Sequence, residues 1–177
     1  MPHRSLRPVF SKKLLHYAIG NCPLGWILVA HSTVGLCAVI LGDDPDALPG
    51  ELQVRFPQAD LIPVDPATDA YLGQVIGLIE SPQAAVEVAL DIPGTPFQQH
   101  VWAALCQVSP GKTTTYAEIA SQIGAPGAAR AVGAACAANP VTIVIPCHRA
   151  VGSDGSFTGY RWGVERKRAL LEIEAKQ

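Results

Sequence analysis

The run Ile143-Val144-Ile145-Pro146-Cys147-His148-Arg149 puts a thiol, an imidazole and a guanidinium on consecutive residues, directly behind a β-branched stretch that ends on proline. Thiols react as thiolates, and neighbouring cationic groups favour that form. Cys147 is therefore read as a nucleophile whose pKa is lowered by His148 and Arg149. Adjacent side chains of a strand point to opposite faces, which would separate sulfur from ring. Pro146 predicts a turn here, across which a water can bridge the two. The competing reading makes Cys147 a small hydrophobe plugging a core.

The elements around this run follow from periodicity and punctuation. Leu14 to Ile19, Trp26 to His31 and Leu36 to Leu41 read as three strands of an antiparallel meander, broken at Gly20-Asn21 and at Thr33-Val34-Gly35. Helices are expected at Leu48 to Phe56 and at Thr68 to Ile79, the second with Tyr71, Val75 and Leu78 on one side. Val86 to Leu90 reads as one more strand, and Asp91-Ile92-Pro93-Gly94 as a domain boundary. Thr95 with Gln98, and Pro96 at the first helical position, form a capping box that opens a helix through about Val108. Thr115 with Glu118 forms a second box, placing Tyr116 in the first turn of a short helix that ends near Gly124. Ala125-Pro126-Gly127 turns the chain into an Ala-rich helix over Ala128 to Ala138, stopped before Pro140. Two short helices joined by a Gly-containing turn outline a helix-turn-helix. Its second helix would present Ala128, Ala129, Ala131, Gly133, Ala134 and Ala135 to a duplex, with Arg130 projecting from the first turn.

Composition narrows the class. With 177 residues, 49% of them hydrophobic, the chain has room for one or two small cores. No apolar run is long enough to cross a bilayer and no signal-peptide core is present, so a cytoplasmic protein without membrane partners is expected. The five cysteines (Cys22, Cys37, Cys106, Cys136, Cys147) are odd in number and form no C-x-x-C pair. That argues against a disulfide framework and a zinc ribbon; Cys22, His31 and Cys37 also lack ligand spacing, so neither metal nor cofactor is expected. The net charge of -2 is unevenly spread: ten acids against the single base Arg55 from Leu14 to Pro96, but eight basic against five acidic residues from Phe97 onward. The first thirteen residues add a basic tail. A polyanion would meet the C-terminal half.

Pro146-Cys147-His148-Arg149, Asn139-Pro140, Gly111-Lys112-Thr113-Thr114-Thr115-Tyr116 and Ala129-Arg130-Ala131-Val132-Gly133 together resemble the O6-alkylguanine-DNA alkyltransferases. Thr95-Pro96-Phe97-Gln98-Gln99, Cys136-Ala137-Ala138-Asn139 and Thr158-Gly159-Tyr160-Arg161-Trp162-Gly163-Val164 bring the likeness nearest to the C-terminal half of the bacterial adaptive-response (Ada-type) methyltransferases. It is weak from about Leu14 and dense after Asp91.

The resemblance implies a ribonuclease H-like α/β domain, a small antiparallel sheet plus helices, over 14–92. A mostly α helix-turn-helix domain, over 93–177, would bind DNA and accept the alkyl group. It further implies a monomer that docks in the minor groove of double-stranded DNA, flips out an O6-alkylguanine and transfers the alkyl group irreversibly to Cys147; O4-alkylthymine is left open. In these terms His148 is a water-mediated base, Glu174 orients it, Arg130 fills the gap left by the flipped nucleotide, and Tyr116 crowds the 3′ phosphate and donates to the departing guanine. Asn139 acts as a hinge between the recognition helix and the cysteine strand, and Arg149, Tyr160 and Arg161 contact DNA or base.

Helix geometry supports Glu174 independently, because it shares a face with Leu170 and Leu171, whereas Glu172 pairs with Arg168 on a solvated face. Two departures stand out. The family's N-terminal regulatory module with its cysteine ligands has no counterpart here, so no transcriptional activation is expected, and Arg161 and Trp162 replace small residues in a way that narrows the base pocket. The alternatives to alkyl transfer are a binding-only damage sensor, a helix-turn-helix regulator and a Cys-His hydrolase.

Overall fold

Strand β2 (Gly25–His31) lies between β1 (Leu14–Cys22) and β3 (Leu36–Gly42), antiparallel to both, and β4 (Asp60–Pro63) pairs in parallel with the free side of β1. The computed structural model describes residues 13–84, 86–157 and 159–177, so the basic tail, apart from Lys13, lies outside the described residues. The sheet is therefore mixed rather than purely antiparallel. β4 escapes a periodicity reading because it is four residues long, mostly exposed and ends on proline, as edge strands tolerate. Val86 to Leu90 is not a full strand. Only Leu90 bridges Leu36, since the next part of the β3 edge is taken by Val141, and the Val39 N–H donates to the Pro140 carbonyl. Gly20, expected as punctuation, is interior to β1. A Cβ there would sit 3.1 Å from Leu72 Cδ2, so its absence lets the neighbouring helix approach the strand.

Alternation gives the sheet two apolar faces. Leu28, Ala30, Ala38 and Ile40 point to one, covered by Leu48 and Leu52 of α1 (Leu48–Arg55). Ile27, Val29, Val39 and Leu41 point to the other, where α2 (Ala70–Glu80) packs. Asp69 caps α2 by accepting from the Leu72 N–H, and the buried side chains are Leu72, Val75 and Ile79. Tyr71 and Leu78, expected on the buried side, flank them half-buried.

Both capping boxes form, at Thr95/Gln98 for α3 (Pro96–Cys106) and at Thr115/Glu118 for α4 (Tyr116–Gln122). The Ala-rich helix is α5 (Ala129–Ala137), followed by α6 (Val164–Ala175). A two-rung parallel ladder joins β5 (Thr114–Thr115) to β6 (Ala150–Val151). Val101, Trp102 and Leu105 of α3, Val132 and Ala135 of α5 and Leu170 of α6 share one continuous core with the second sheet face. Arg166 ties α6 across to the sheet, donating to the Leu24 carbonyl and pairing with Asp43 at 2.7 Å. These contacts fix the angle at which α6 delivers its inward side chains. Among the described residues no helix is long and apolar enough to cross a membrane, and no cluster of three His, Cys, Asp or Glu side chains could hold a metal ion.

Candidate active site

After α5 the chain folds tightly onto itself. The Asn139 side chain accepts from the Val141 N–H and donates to the Ile145 carbonyl, and the Ile145 N–H donates to Val141. Closing this loop forces Ile143 to a φ of 78°, a region that a β-branched residue rarely enters. Pro146 then opens a single 3-10 turn, Cys147–Arg149, rather than a continuing strand. The turn sends three consecutive side chains in three directions. The sulfur thereby meets Asn139 and Thr142, while the imidazole and the guanidinium both reach Glu174.

Glu174 is the hub. On α6 the buried residues are Lys167, Leu170 and Glu174, a spacing that places them on one face, while Glu172 is exposed. The Glu174 carboxylate lies 2.7 Å from His148 Nε2 and accepts from Arg149 Nε and Nη2, the latter at 2.8 Å. The Gly111 N–H donates to it at 3.4 Å, and a Cβ on Gly111 would press against the Glu174 carbonyl at 3.3 Å. Burial alone would raise this carboxyl, but the His148 and Arg149 hydrogen bonds outweigh burial and pull its pKa down to about 2.

An ionised carboxylate can only accept, so His148 Nε2 must carry the proton it shares with Glu174. Nδ1 is then a bare lone pair. It is buried and, among the described residues, has no hydrogen-bond partner. Burial pushes the His148 pKa down, which keeps the ring neutral and able to take a proton.

Two expectations need correction. Arg149 is not turned toward a DNA or base contact: its guanidinium faces inward, spent on Glu174 and on the Val108 carbonyl just past the end of α3, at 2.6 Å. Nor does the Cys147 thiol sit lower than usual in the resting protein. Burial raises it, since His148 is neutral and the Arg149 charge is neutralised by Glu174. Hydrogen bonding from the Asn139 amide, 3.3 Å from Sγ, and from Thr142 opposes that rise, and so does the charge of Lys167.

Sequence reasoning missed Lys167. Its side chain is fully buried and its ammonium donates to the Ala150 carbonyl at 2.5 Å, 5.9 Å from the centre of the Tyr116 ring. The signal was available: position 167 shares the face of Leu170 and Glu174. A lysine so placed reads naturally as solvated, however, since buried lysines are rare.

The other expected site residues divide by exposure. Tyr116 is half-buried at the start of α4, and its phenol is raised by burial to about 12, so it stays a neutral donor. Arg130 is exposed on the first turn of α5, beside outward-facing Ala131 and Ala134. Ala135, expected on that outer face, turns inward, and its carbonyl accepts from the Trp102 indole N–H. Tyr160 is buried, with its hydroxyl 2.7 Å from Thr142 Oγ1. Arg161 is exposed and lies over Trp162 at 5.2 Å, on the ring that Arg55 also approaches, at 5.1 Å.

A mixed α/β scaffold here carries a buried thiol and, on the next residue, a buried imidazole held by an ionised carboxylate, with its other nitrogen unpartnered among the described residues; these are groups that a cysteine-nucleophile protein needs. A family model described as "6-O-methylguanine DNA methyltransferase, DNA binding domain" matches residues 96–176. The inducible methylated-DNA--protein-cysteine methyltransferase of Bacillus subtilis is 43% identical, over 69% of this chain and 68% of that protein. A crystal structure of Mycobacterium tuberculosis OGT in complex with DNA superimposes with a TM-score of 0.76 at 38% identity, covering 91% of this chain and 93% of the other. The chain belongs to the methylated-DNA–protein-cysteine methyltransferase family. The Escherichia coli bifunctional transcriptional activator/DNA repair enzyme Ada is 48% identical over 92% of this chain but over 46% of its own length, so the chain spans less than half of that relative.

Proposed function

We propose that this protein repairs DNA by moving the alkyl group of O6-alkylguanine onto Cys147, once per molecule. The observation that carries the reading is that His148, next in the chain to Cys147, keeps a buried Nδ1 lone pair without a partner among the described residues while an ionised Glu174 holds its ring at Nε2. In the reaction the thiol proton passes to Nδ1 through a bridging water, and the S–C bond forms as the C–O6 bond breaks. The electron pair leaves with guanine, which is protonated as it departs, with Tyr116 donating. Glu174 stabilises the imidazolium that results. The product is a thioether, which no group in this site is equipped to cleave, so turnover ends there.

The protein that performs this transfer is read as two parts, a ribonuclease H-like region over 14–92 and a helix-turn-helix region over 93–177. In the second, α4 and α5 pair across the 123–128 turn and present Tyr116 and Arg130 to the minor groove. A thiolate cannot reach the O6 substituent in line inside a stacked duplex, so the base must be flipped out. The small outward residues Ala131 and Ala134 suit close approach to a DNA backbone, and Arg130 suits the space that the base leaves.

Incubation with duplex DNA containing one O6-methylguanine should add a single methyl group to the peptide bearing Cys147, and C147A should bind the duplex without gaining mass. Label on Cys136 or Cys106, or turnover well beyond one lesion per protein, overturns the reading. Arg130→Ala should slow duplex repair by the equivalent of about 1–3 kcal/mol while leaving reaction with the free modified base nearly unchanged. Equal losses on duplex and free base would remove Arg130 from nucleotide extrusion.

A further inference from the structure

Thr142 is fully buried beside the nucleophile and has no part in the proton path from Cys147 to His148. Its hydroxyl oxygen is 2.7 Å from the Tyr160 phenol oxygen and 3.9 Å from Cys147 Sγ. A hydroxyl has one proton to give and two lone pairs to receive with. Among the described residues Thr142 is the phenol's hydrogen-bond partner, and burial keeps that phenol protonated. Leaving a buried O–H without an acceptor costs about 1–3 kcal/mol, so the phenol donates to Thr142. The threonine's own proton is then left for the sulfur. On the other side of Sγ the Asn139 amide donates at 3.3 Å while its second proton holds the Ile145 carbonyl, so its direction is fixed.

We propose that Thr142 is a thiolate-stabilising residue: oriented by Tyr160, its hydroxyl donates to Cys147 Sγ and, with the Asn139 amide, forms a two-donor cradle for the sulfur anion. This rests on reading Cys147 as the nucleophile, and adds to it the groups that hold the charge before the alkyl carbon is attacked. Hydrogen bonds to an ion are shorter than those between neutral groups, and a 3.9 Å contact to a neutral thiol leaves room to tighten. The arrangement is built before substrate arrives, since Asn139, Thr142 and Tyr160 are locked by their own partners.

Other groups act on the same sulfur. Lys167 of α6 faces it with a charge, Cys136 of α5, Tyr116 of α4 and Tyr160 face it as neutral acids, and His148 and Arg149 follow it on its own turn, with Glu174 behind them. Of these, removing one hydroxyl at position 142 disturbs Tyr160, whose phenol loses its acceptor, and Tyr160→Phe measures that part on its own.

The test is the pH dependence of carbamidomethylation of Cys147 by iodoacetamide in the intact folded protein, followed on its own peptide by mass. This needs no DNA. Thr142→Val should raise the apparent thiol pKa by about one unit, making alkylation at pH 7 about tenfold slower. Thr142→Ser should return most of that shift, and Tyr160→Phe should give a smaller rise, since the threonine keeps its hydroxyl but loses its orientation. If Thr142→Val does not fold, Thr142→Ala against Thr142→Ser makes the same comparison. A profile unchanged by loss of the hydroxyl, or a serine variant that behaves like valine, overturns the proposal. Methyl transfer from DNA to the wild-type protein, measured alongside, separates the two readings: no methyl on Cys147 defeats alkyl transfer whatever the thiol titration shows.

Discussion

Glu174→Gln should destabilise the protein by about 3–5 kcal/mol and bring single-turnover methyl transfer close to zero, while Glu172→Gln changes neither by much. The two effects have different origins. Stability falls because glutamine leaves the Arg149 guanidinium buried without its counter-charge, and breaking one side of a buried ion pair costs more than the pair contributes. Transfer falls because the amide cannot stabilise the imidazolium and, by turning its NH2 toward Nε2, would favour the wrong His148 tautomer. The double variant Glu174→Gln with Arg149→Met separates them. It should recover much of the stability in denaturant titration and none of the transfer rate. Recovery of both would make Glu174 a structural counter-ion only.

The same carboxylate sets the acid limit of the fold. Its folded pKa of about 2 lies below the ordinary value of 4.5, so its stabilisation is complete above about pH 4.5 and is lost as pH falls toward 2. His148 adds to this with the same sign, since its folded pKa is depressed below 6.5 and charging its buried ring on acidification opposes folding. Unfolding measured by fluorescence should therefore show stability falling from about pH 6.5 downward. In Glu174→Gln the part between 4.5 and 2 should be absent. An unaltered acid limb in that variant would mean the carboxylate is not held as the structure has it.

What the sequence made legible was local. Both capping boxes and the inward face of Glu174 depend on spacings of three and four residues, the stop before Pro140 depends on the proline itself, and each is present. Non-local pairing was less legible. β4 is defined by its partner β1 rather than by its own residues, and the single rung at Leu90 depends on Val141 occupying the β3 edge, which no window around Val86 to Leu90 reveals. At the site the difference is one of direction. Arg149 beside a cysteine suggests activation or DNA contact, but which way its guanidinium turns is decided by Glu174, 25 residues on, and by the carbonyl of Val108, 41 residues back. Thr142 and Tyr160 are 18 residues apart and meet only in the folded chain. Charge neutralisation and hydroxyl relays of this kind are properties of the packed site. A sequence names their members without naming their partners.

Lys167→Met should raise the Cys147 pKa and slow methyl transfer at pH 7 by about tenfold or more, with thermal stability little changed. Methionine keeps the length and apolar stem of the side chain, so the packing under α6 is preserved. Removing a buried ammonium also removes its desolvation penalty, which offsets the lost hydrogen bond to the Ala150 carbonyl. Burial holds the Lys167 pKa below its usual value, while the sulfurs of Cys147 and Cys136 favour its charged form. By reciprocity, the ammonium favours a thiolate at Cys147, and a nearby opposite charge moves a pKa by about 1–3 units. His148 is neutral at rest and Arg149 is neutralised, which leaves Lys167 as the cation whose charge is not cancelled by Glu174. The defect should therefore be corrected by raising the pH: the variant's single-turnover rate should climb toward that of the wild type between pH 8 and 10, as the thiol ionises without help. A rate that stays low at every pH would assign Lys167 to holding the 150–151 backbone, through Ala150, rather than to the charge on sulfur.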